Sequence, residues 1–216
     1  MIERALVSVY DKTGLDEFAR GLADLGVDLV ASGGTAGFLE EHELTVTYVE
    51  ELTGVAELLG GRVKTLHPHI HAAILARRDS DDMASLEELG IRPFDLVCVN
   101  LYPFSQVAWR REITEAEAVE MIDIGGPAMV RAAAKNFEHV APVSRPDQYG
   151  AVLEELRQHG ELSIETRRRL ATEAFATTAA YEAGISAWFA DTESFPERVT
   201  VSLEGIVSHT VKVMGV

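Results

Sequence analysis

The stretch Arg4-Ala5-Leu6-Val7-Ser8-Val9-Tyr10-Asp11-Lys12-Thr13-Gly14, followed by Val27-Asp28-Leu29-Val30-Ala31-Ser32-Gly33-Gly34-Thr35, decides how this chain folds. Arg4 to Tyr10 reads as a buried strand that Asp11 to Gly14 breaks. Between the two quoted runs, Leu15, Phe18, Ala19, Leu22 and Leu25 recur at the spacing of an amphipathic helix. Thr13 with Asp16 predicts a capping-box variant at its start, and Gly26 closes it. Val27 to Ala31 is a second strand, and a further helix begins near Ala36. A strand, helix, strand and helix in forty residues are the signature of a parallel sheet covered by helices.

Downstream the pattern continues. Val46 to Val49 predicts a short strand, Val55 to Leu59 a short helical segment, Asp81 to Leu89 a helix, and Phe94 to Leu101 a buried strand. Val140 to Val143 is a strand, Asp147 to Gln158 a helix with Val152, Leu153 and Leu156 inward, and Glu165 to Ala190 a long helix. The long helix carries Leu170, Ala174, Tyr181, Ile185 and Trp188 near heptad spacing, a stripe for its own sheet or a partner subunit. The tail from Phe195 alternates apolar residues, a strand-like or partly disordered extension. The expectation is one domain over 1–195 with an extension over 196–216.

Bulk composition narrows the function. The 216 residues are 47% hydrophobic, enough for a core, and 19 basic against 35 acidic residues give a net charge of −16. That balance argues against wholesale binding to nucleic acid or an anionic membrane. An anion site has to be built locally. No segment approaches the roughly 18 uncharged apolar residues of a membrane helix, and the single cysteine, Cys98, lies in an apolar run as filler. A reducing, cytoplasmic setting is expected.

Three stretches carry chemistry. Ser32-Gly33-Gly34-Thr35 joins a strand to a helix, where glycines, hydroxyls and unpaired helix N–H groups form a phosphate cradle or merely a glycine-rich connection. It is neither a Walker loop nor a dinucleotide fingerprint. Ser8 and Lys12 leave the neighbouring strand at the same end of the sheet and add a hydroxyl and a countercharge. In Gly61-Arg62-Val63-Lys64-Thr65-Leu66-His67-Pro68-His69-Ile70-His71, Arg62 and Lys64 share a face if the chain is extended, as do the three histidines. Pro68 and Ile70 favour a turn over a zinc site, and no metal is expected. Tyr102 tops a strand as a hydrogen-bond donor or a core residue. In Ile122 to Asn136, Gly125 and Gly126 permit close approach, Pro127 suits the first helical position, and Ala128 to Lys135 are helix formers. Asp123 then lies just outside the helix, with Arg131 and Lys135 one turn apart, either as a site or as a capped surface helix.

Taken together, Ser8 to Gly14, Ser32 to Thr35, Gly61 to Pro68, Asn100-Leu101-Tyr102-Pro103-Phe104 and Asp123 to Asn136 closely resemble the IMP cyclohydrolase domain of the bifunctional purine-biosynthesis proteins. The resemblance implies an α/β, methylglyoxal-synthase-like three-layer fold, with a mostly parallel sheet flanked by helices. It implies dehydrative ring closure of 5-formamidoimidazole-4-carboxamide ribotide (FAICAR) to IMP without a cofactor. Its substrate contacts fall on Ser8, Lys12, Ser32, Gly34, Thr35, Arg62, Thr65 and Gly125, and its catalytic groups on Lys64, Tyr102, Asp123 and Lys135. On that reading Lys64 and Tyr102 donate to the developing oxyanion while Asp123 and Lys135 manage protons, Lys135 as base or acid. The sequence departs from the family at Tyr10, where serine is usual, and at Phe137, where histidine is usual. It stops at Val216 where the family continues, so a separate AICAR formyltransferase is expected to supply FAICAR. A homodimer is implied as well. Methylglyoxal synthase and a nonenzymatic nucleotide-sensing module on the same fold are the rivals.

Overall fold

Residues 1–109, 113–190, 198–201 and 209–212 are described by a computed structural model. They form two compact units, Met1–Leu101 with Ile124–Phe175, and Tyr102–Asp123 with Ala176–Val216. The expected boundary at 195 lies outside the described residues.

The first unit is built on five parallel strands: β1 Arg4–Val9, β2 Asp28–Ala31, β3 Thr47–Tyr48, β4 Leu96–Asn100 and β5 Ala141–Val143, in the order β3-β2-β1-β4-β5. The chain moves outward from β1 through β2 to β3, then returns to pair β4 with the other side of β1. Such a reversal opens a crevice at the carboxyl ends of the two central strands. Register sets Ser8 beside Val99 and Val9 beside Asn100 at that end.

Alternation along the strands divides the core. Ala5, Val7, Leu29, Ala31, Leu96 and Cys98 face one buried cluster with the helices α1 Leu15–Asp24, α2 Gly33–Glu41 and α9 Tyr149–His159. Leu6, Val30, Val97 and Val99 face the other, with α4 Pro68–Leu75 and α8 Gly125–Lys135, while α3 Val49–Thr53 contributes Val49. The result is helix, sheet and helix in three layers. The remaining helix of this part, α5 Ser80–Glu88, starts with Asp79 accepting the N–H of Asp82 at 2.9 Å. The long helix α10, Ile164–Phe189, buries Leu170, Ala171 and Ala174 within the first unit, so this part of the heptad stripe meets its own core.

In the second unit lie α6 Phe104–Val107, α7 Glu115–Glu120 and the end of α10. Thr114 and Glu117 form a reciprocal capping box on α7. Buried Phe104 meets Tyr181 and Trp188 edge-on, with ring centroids 6.5 and 5.6 Å away. The antiparallel strands β6 Arg198–Val201 and β7 His209–Lys212 lie in the tail, and the rest of the tail expectation lies outside the described residues.

Several expectations are corrected. Thr13 does not cap α1: its hydroxyl donates to Asp11 Oδ1 at 2.6 Å and left-handed Gly14 occupies the N-cap. Leu25 falls past the last helical turn and is exposed. Val55 to Leu59 is not helical, because helix forms earlier, in α3, and Leu58 instead pairs with Val63. The three histidines are not on an extended face. His67 caps α4 by accepting the N–H of His69, with Pro68 at the first helical position, and no metal-holding cluster occurs among the described residues. Helix α8 begins at Gly125, so Pro127 sits two residues inside its start.

Cys98 is buried and its thiol donates weakly to Tyr149 Oη at 3.5 Å. Burial raises the thiol's pKa to about 12, against which the Tyr149 contact acts in the opposite direction. At pH 8 the thiol, not the thiolate, is the folded form, and only the thiolate attacks disulfide reagents. The folded chain is expected to leave a chromogenic disulfide unreacted at pH 8 and to consume one equivalent on unfolding. Rapid reaction of the folded chain would contradict the packing around Tyr149.

Candidate active site

Asn100 ends β4 beside the end of β1, and its amide organises the turn after β1. Oδ1 accepts the backbone N–H groups of Tyr10 and Asp11 at 2.8 and 3.0 Å, while Nδ2 donates to the Asp11 carbonyl at 2.8 Å. Three bonds from one buried side chain fix the backbone that carries Lys12. The Asp11 carboxylate accepts both the hydroxyl and the N–H of Thr13, which hold its pKa below the usual value. Lys12 Nζ lies 5.9 Å from the centre of the Phe38 ring. Tyr10 is exposed, and its backbone N–H is what Asn100 holds.

The second loop comes to the same edge. Ser8 Oγ and Ser32 Oγ are 3.1 Å apart. Ser32 makes no side-chain capping bond to α2, and its carbonyl accepts the Thr35 N–H at 3.0 Å, which closes the first turn of that helix. Gly33 adopts the left-handed conformation, φ 47°, that glycine tolerates. Thr35, an expected substrate contact, is tied to β1 by its hydroxyl. Its hydroxyl accepts the Val9 N–H and donates to the Val9 carbonyl, both at 3.1 Å, and so staples α2 to β1.

The third stretch brings a cation onto this loop. A Cβ on Gly33 would lie 2.7 Å from Lys64 Nζ, so the absence of a side chain at 33 leaves room for the ammonium. Glu57 Oε2 pairs with the same nitrogen at 2.7 Å. Arg62 follows the tight turn Leu59–Gly61 rather than lying in an extended run. Thr65 is buried, and its hydroxyl would lie 2.7 Å from a Cβ on Gly125, so Gly125 serves as a point of close approach at the start of α8.

Lys135 does not join this group within the chain. Ten residues of α8 separate it from Gly125, about 15 Å at 1.5 Å per residue. Beyond it Asn136 donates to the carbonyls of Ile74 and Ala76, and Ala141 N–H to Asp95, at the edge where β4 and β5 begin. Lys135 instead lines a groove of about 730 Å³ with Arg77, Arg78, Phe137 and His139. Phe137 carries the Arg168 guanidinium 4.8 Å above its ring. Arg131 likewise turns to an aromatic ring, that of Phe175 at 5.7 Å. Helical periodicity relates Arg131 to Lys135 correctly but does not say which end of the helix meets the crevice.

Tyr102 and Asp123 fall in the second unit. Tyr102 is partly exposed and its carbonyl accepts the Phe104 N–H at 2.8 Å. The Asp123 N–H donates to Tyr181 Oη at 2.7 Å, and Tyr181 donates to the Met121 carbonyl at 3.4 Å. Burial first, then nearby carboxylates among the other causes, raises the Tyr181 phenol to about 12, which keeps it a neutral donor.

The profile of the MGS-like domain matches residues 14–128. The chain belongs to the MGS-like domain family. A second profile, the AICARFT/IMPCHase bienzyme, matches residues 133–209. The bifunctional purine biosynthesis protein PurH of Bacillus mycoides (strain KBAB4) is 49% identical over 207 residues, 94% of this chain and 40% of the relative, and PurH of Bacillus anthracis is 48% identical over the same shares. The chain thus spans 40% of the length of these curated relatives. A crystal structure of ForH superposes with a TM-score of 0.77 at 40% identity, covering 88% of this chain and all of that one.

The Thr65 contact gives a test in this MGS-like fold. Alanine at 125 gains about 1 kcal/mol of helix propensity over glycine, whereas overpacking costs about 1–3 kcal/mol. Gly125→Ala is expected to lower stability in chemical denaturation, and Thr65→Ala in the same chain to restore it. A stabilised single variant would show that Thr65 does not press on this helix.

Proposed function

We propose that the chain is an IMP cyclohydrolase, closing FAICAR to IMP in the last step of de novo purine biosynthesis. The observation that carries this reading is the Lys64 ammonium over the glycine-rich start of α2, where Ser8 and Ser32 meet. A ribotide phosphate finds there helix N–H groups, two hydroxyls and a nearby lysine, Lys12, on a turn held by Asn100. The PurH relatives, bifunctional purine biosynthesis proteins 48–49% identical across this region, support a place in purine biosynthesis.

Ring closure needs positioning more than reagents. The carboxamide nitrogen adds to the formyl carbon and its proton passes to the formyl oxygen. That oxygen then leaves as water with the formamide N–H proton, and the C=N bond of the purine remains. Holding the ribotide at its phosphate makes the addition intramolecular in an ordered geometry, worth about 7–11 kcal/mol in favourable cases. Lys64 donates to the formyl oxygen as negative charge develops on it. Arg62 and Thr65 flank Lys64 in sequence and bind the base side, with Gly125 leaving room for Thr65. Tyr102 and Asp123 enter from the sequence resemblance, as a phenol donor and a proton acceptor. Thr35 and Gly34 act by shaping the loop. Lys135, at the far edge of the sheet, receives no proton-transfer role within the chain.

The reaction proceeds without a cofactor, in the cytoplasm, on FAICAR made by AICAR formyltransferase. A homodimer belongs to the same proposal.

The purified chain is expected to convert FAICAR to IMP, followed by the change in ultraviolet absorbance, with no added metal or cofactor. Lys64→Ala should lower kcat about 10²–10³-fold, the usual effect of losing one oxyanion donor, with a much smaller change in IMP affinity. Absence of IMP formation, or an unaltered kcat in the variant, overturns the reading.

A further inference from the structure

Leu58 and Val63 form an antiparallel bridge, with Leu58 N–H to the Val63 carbonyl at 2.9 Å and Val63 N–H to the Leu58 carbonyl at 3.3 Å. The turn between them needs left-handed backbone at Leu59, Gly60 and Gly61, with φ of 54°, 64° and 95°. In an antiparallel pair the next residues outward stand opposite each other, so this register sets Glu57 against Lys64. The Glu57 carboxylate contacts Lys64 Nζ at 2.7 Å, and the same nitrogen lies where a side chain on Gly33 would go. The hairpin therefore delivers a carboxylate and an ammonium together to the glycine-rich start of α2. At 52% exposure for Glu57 and 21% for Lys64, the pair is too open to matter much for stability.

We propose that Glu57 is a positioning residue: it holds the Lys64 ammonium on the Ser32–Gly34 loop and competes for it with an anionic substrate. The inference rests on the cyclohydrolase reading for its substrate, but its contact is independent of it. Two consequences have opposite signs. The Glu57 charge weakens anion binding beside it, and its hydrogen bond keeps Lys64 where the reacting oxygen needs a donor. Removing the charge while keeping the shape separates them, because affinity rises while turnover falls.

Glu57→Gln is expected to bind IMP about threefold more tightly at low salt, the size of effect seen for partly exposed ion pairs. Its kcat on FAICAR should fall about tenfold, as misplacement of a catalytic group produces, with the melting temperature unchanged. Acetic anhydride, read by peptide mass spectrometry, should acylate Lys64 about threefold faster in the variant, as a lysine released from a partly exposed ion pair would. Restoring the carboxylate as Glu57→Asp should bring back part of the turnover. Affinity and turnover that fall together, or an unchanged Lys64 acylation rate, overturn the proposal. Failure of the unaltered chain to close FAICAR overturns the cyclohydrolase reading instead, and the acylation rate then still decides the Glu57 contact.

Discussion

The side-by-side ending of β1 and β4 is the constraint on which the rest of the structure depends. Parallel register sets Val9 against Asn100, and the Asn100 amide then reaches across to the backbone of Tyr10 and Asp11. A buried primary amide with unmet bonds costs about 1–3 kcal/mol, so the turn after β1 is held to one conformation. On the other side of β1, the Thr35 hydroxyl makes two bonds to Val9. Both loops of the crevice are thereby fixed to the same strand, and Ser8 meets Ser32 without either loop supplying much hydrophobic anchorage.

A second constraint is steric. Two glycines mark places where a third element must come close: Gly33 under the Lys64 ammonium and Gly125 against the Thr65 hydroxyl. The segment carrying Lys64 and Thr65 has few buried side chains of its own, and Leu58, Leu59 and Leu66 are exposed. It is shaped instead by a bridge, a left-handed turn and these two contacts. In a chain of net charge −16, Lys64 is placed against the glycine-rich start of α2 and paired there with one carboxylate, that of Glu57.

Much of this architecture is legible in the sequence. Strand and helix alternation over the first forty residues gives the parallel sheet, because each run shows either continuous apolarity or 3.6-residue spacing. Ser8, Lys12 and Ser32 emerge as groups at strand ends. Local signals fail where the deciding contact is distant. Thr13 looks like a cap until Asp11 claims its hydroxyl, and Val55 to Leu59 looks helical although its backbone is bent by the pairing with Val63. Asn100 is visible only as a polar residue ending an apolar run, without its three partners. Glu57 carries no signal at all, because its pairing depends on a turn of four residues. Lys135 shows the limit most plainly: periodicity fixes its helix, whereas only the attachment of Asn136 and Ala141 shows it at the opposite edge of the sheet.

The central claim is therefore about location: nucleotide binds at the carboxyl edge of β1 and β4, against the start of α2. A crystal structure of the chain with IMP tests it most directly. The account predicts the phosphate at the Ser32–Thr35 loop, within hydrogen-bonding reach of Ser8 or Ser32, with Lys64 against the bound nucleotide. IMP seated instead in the groove between Arg77, Lys135 and His139 would contradict it.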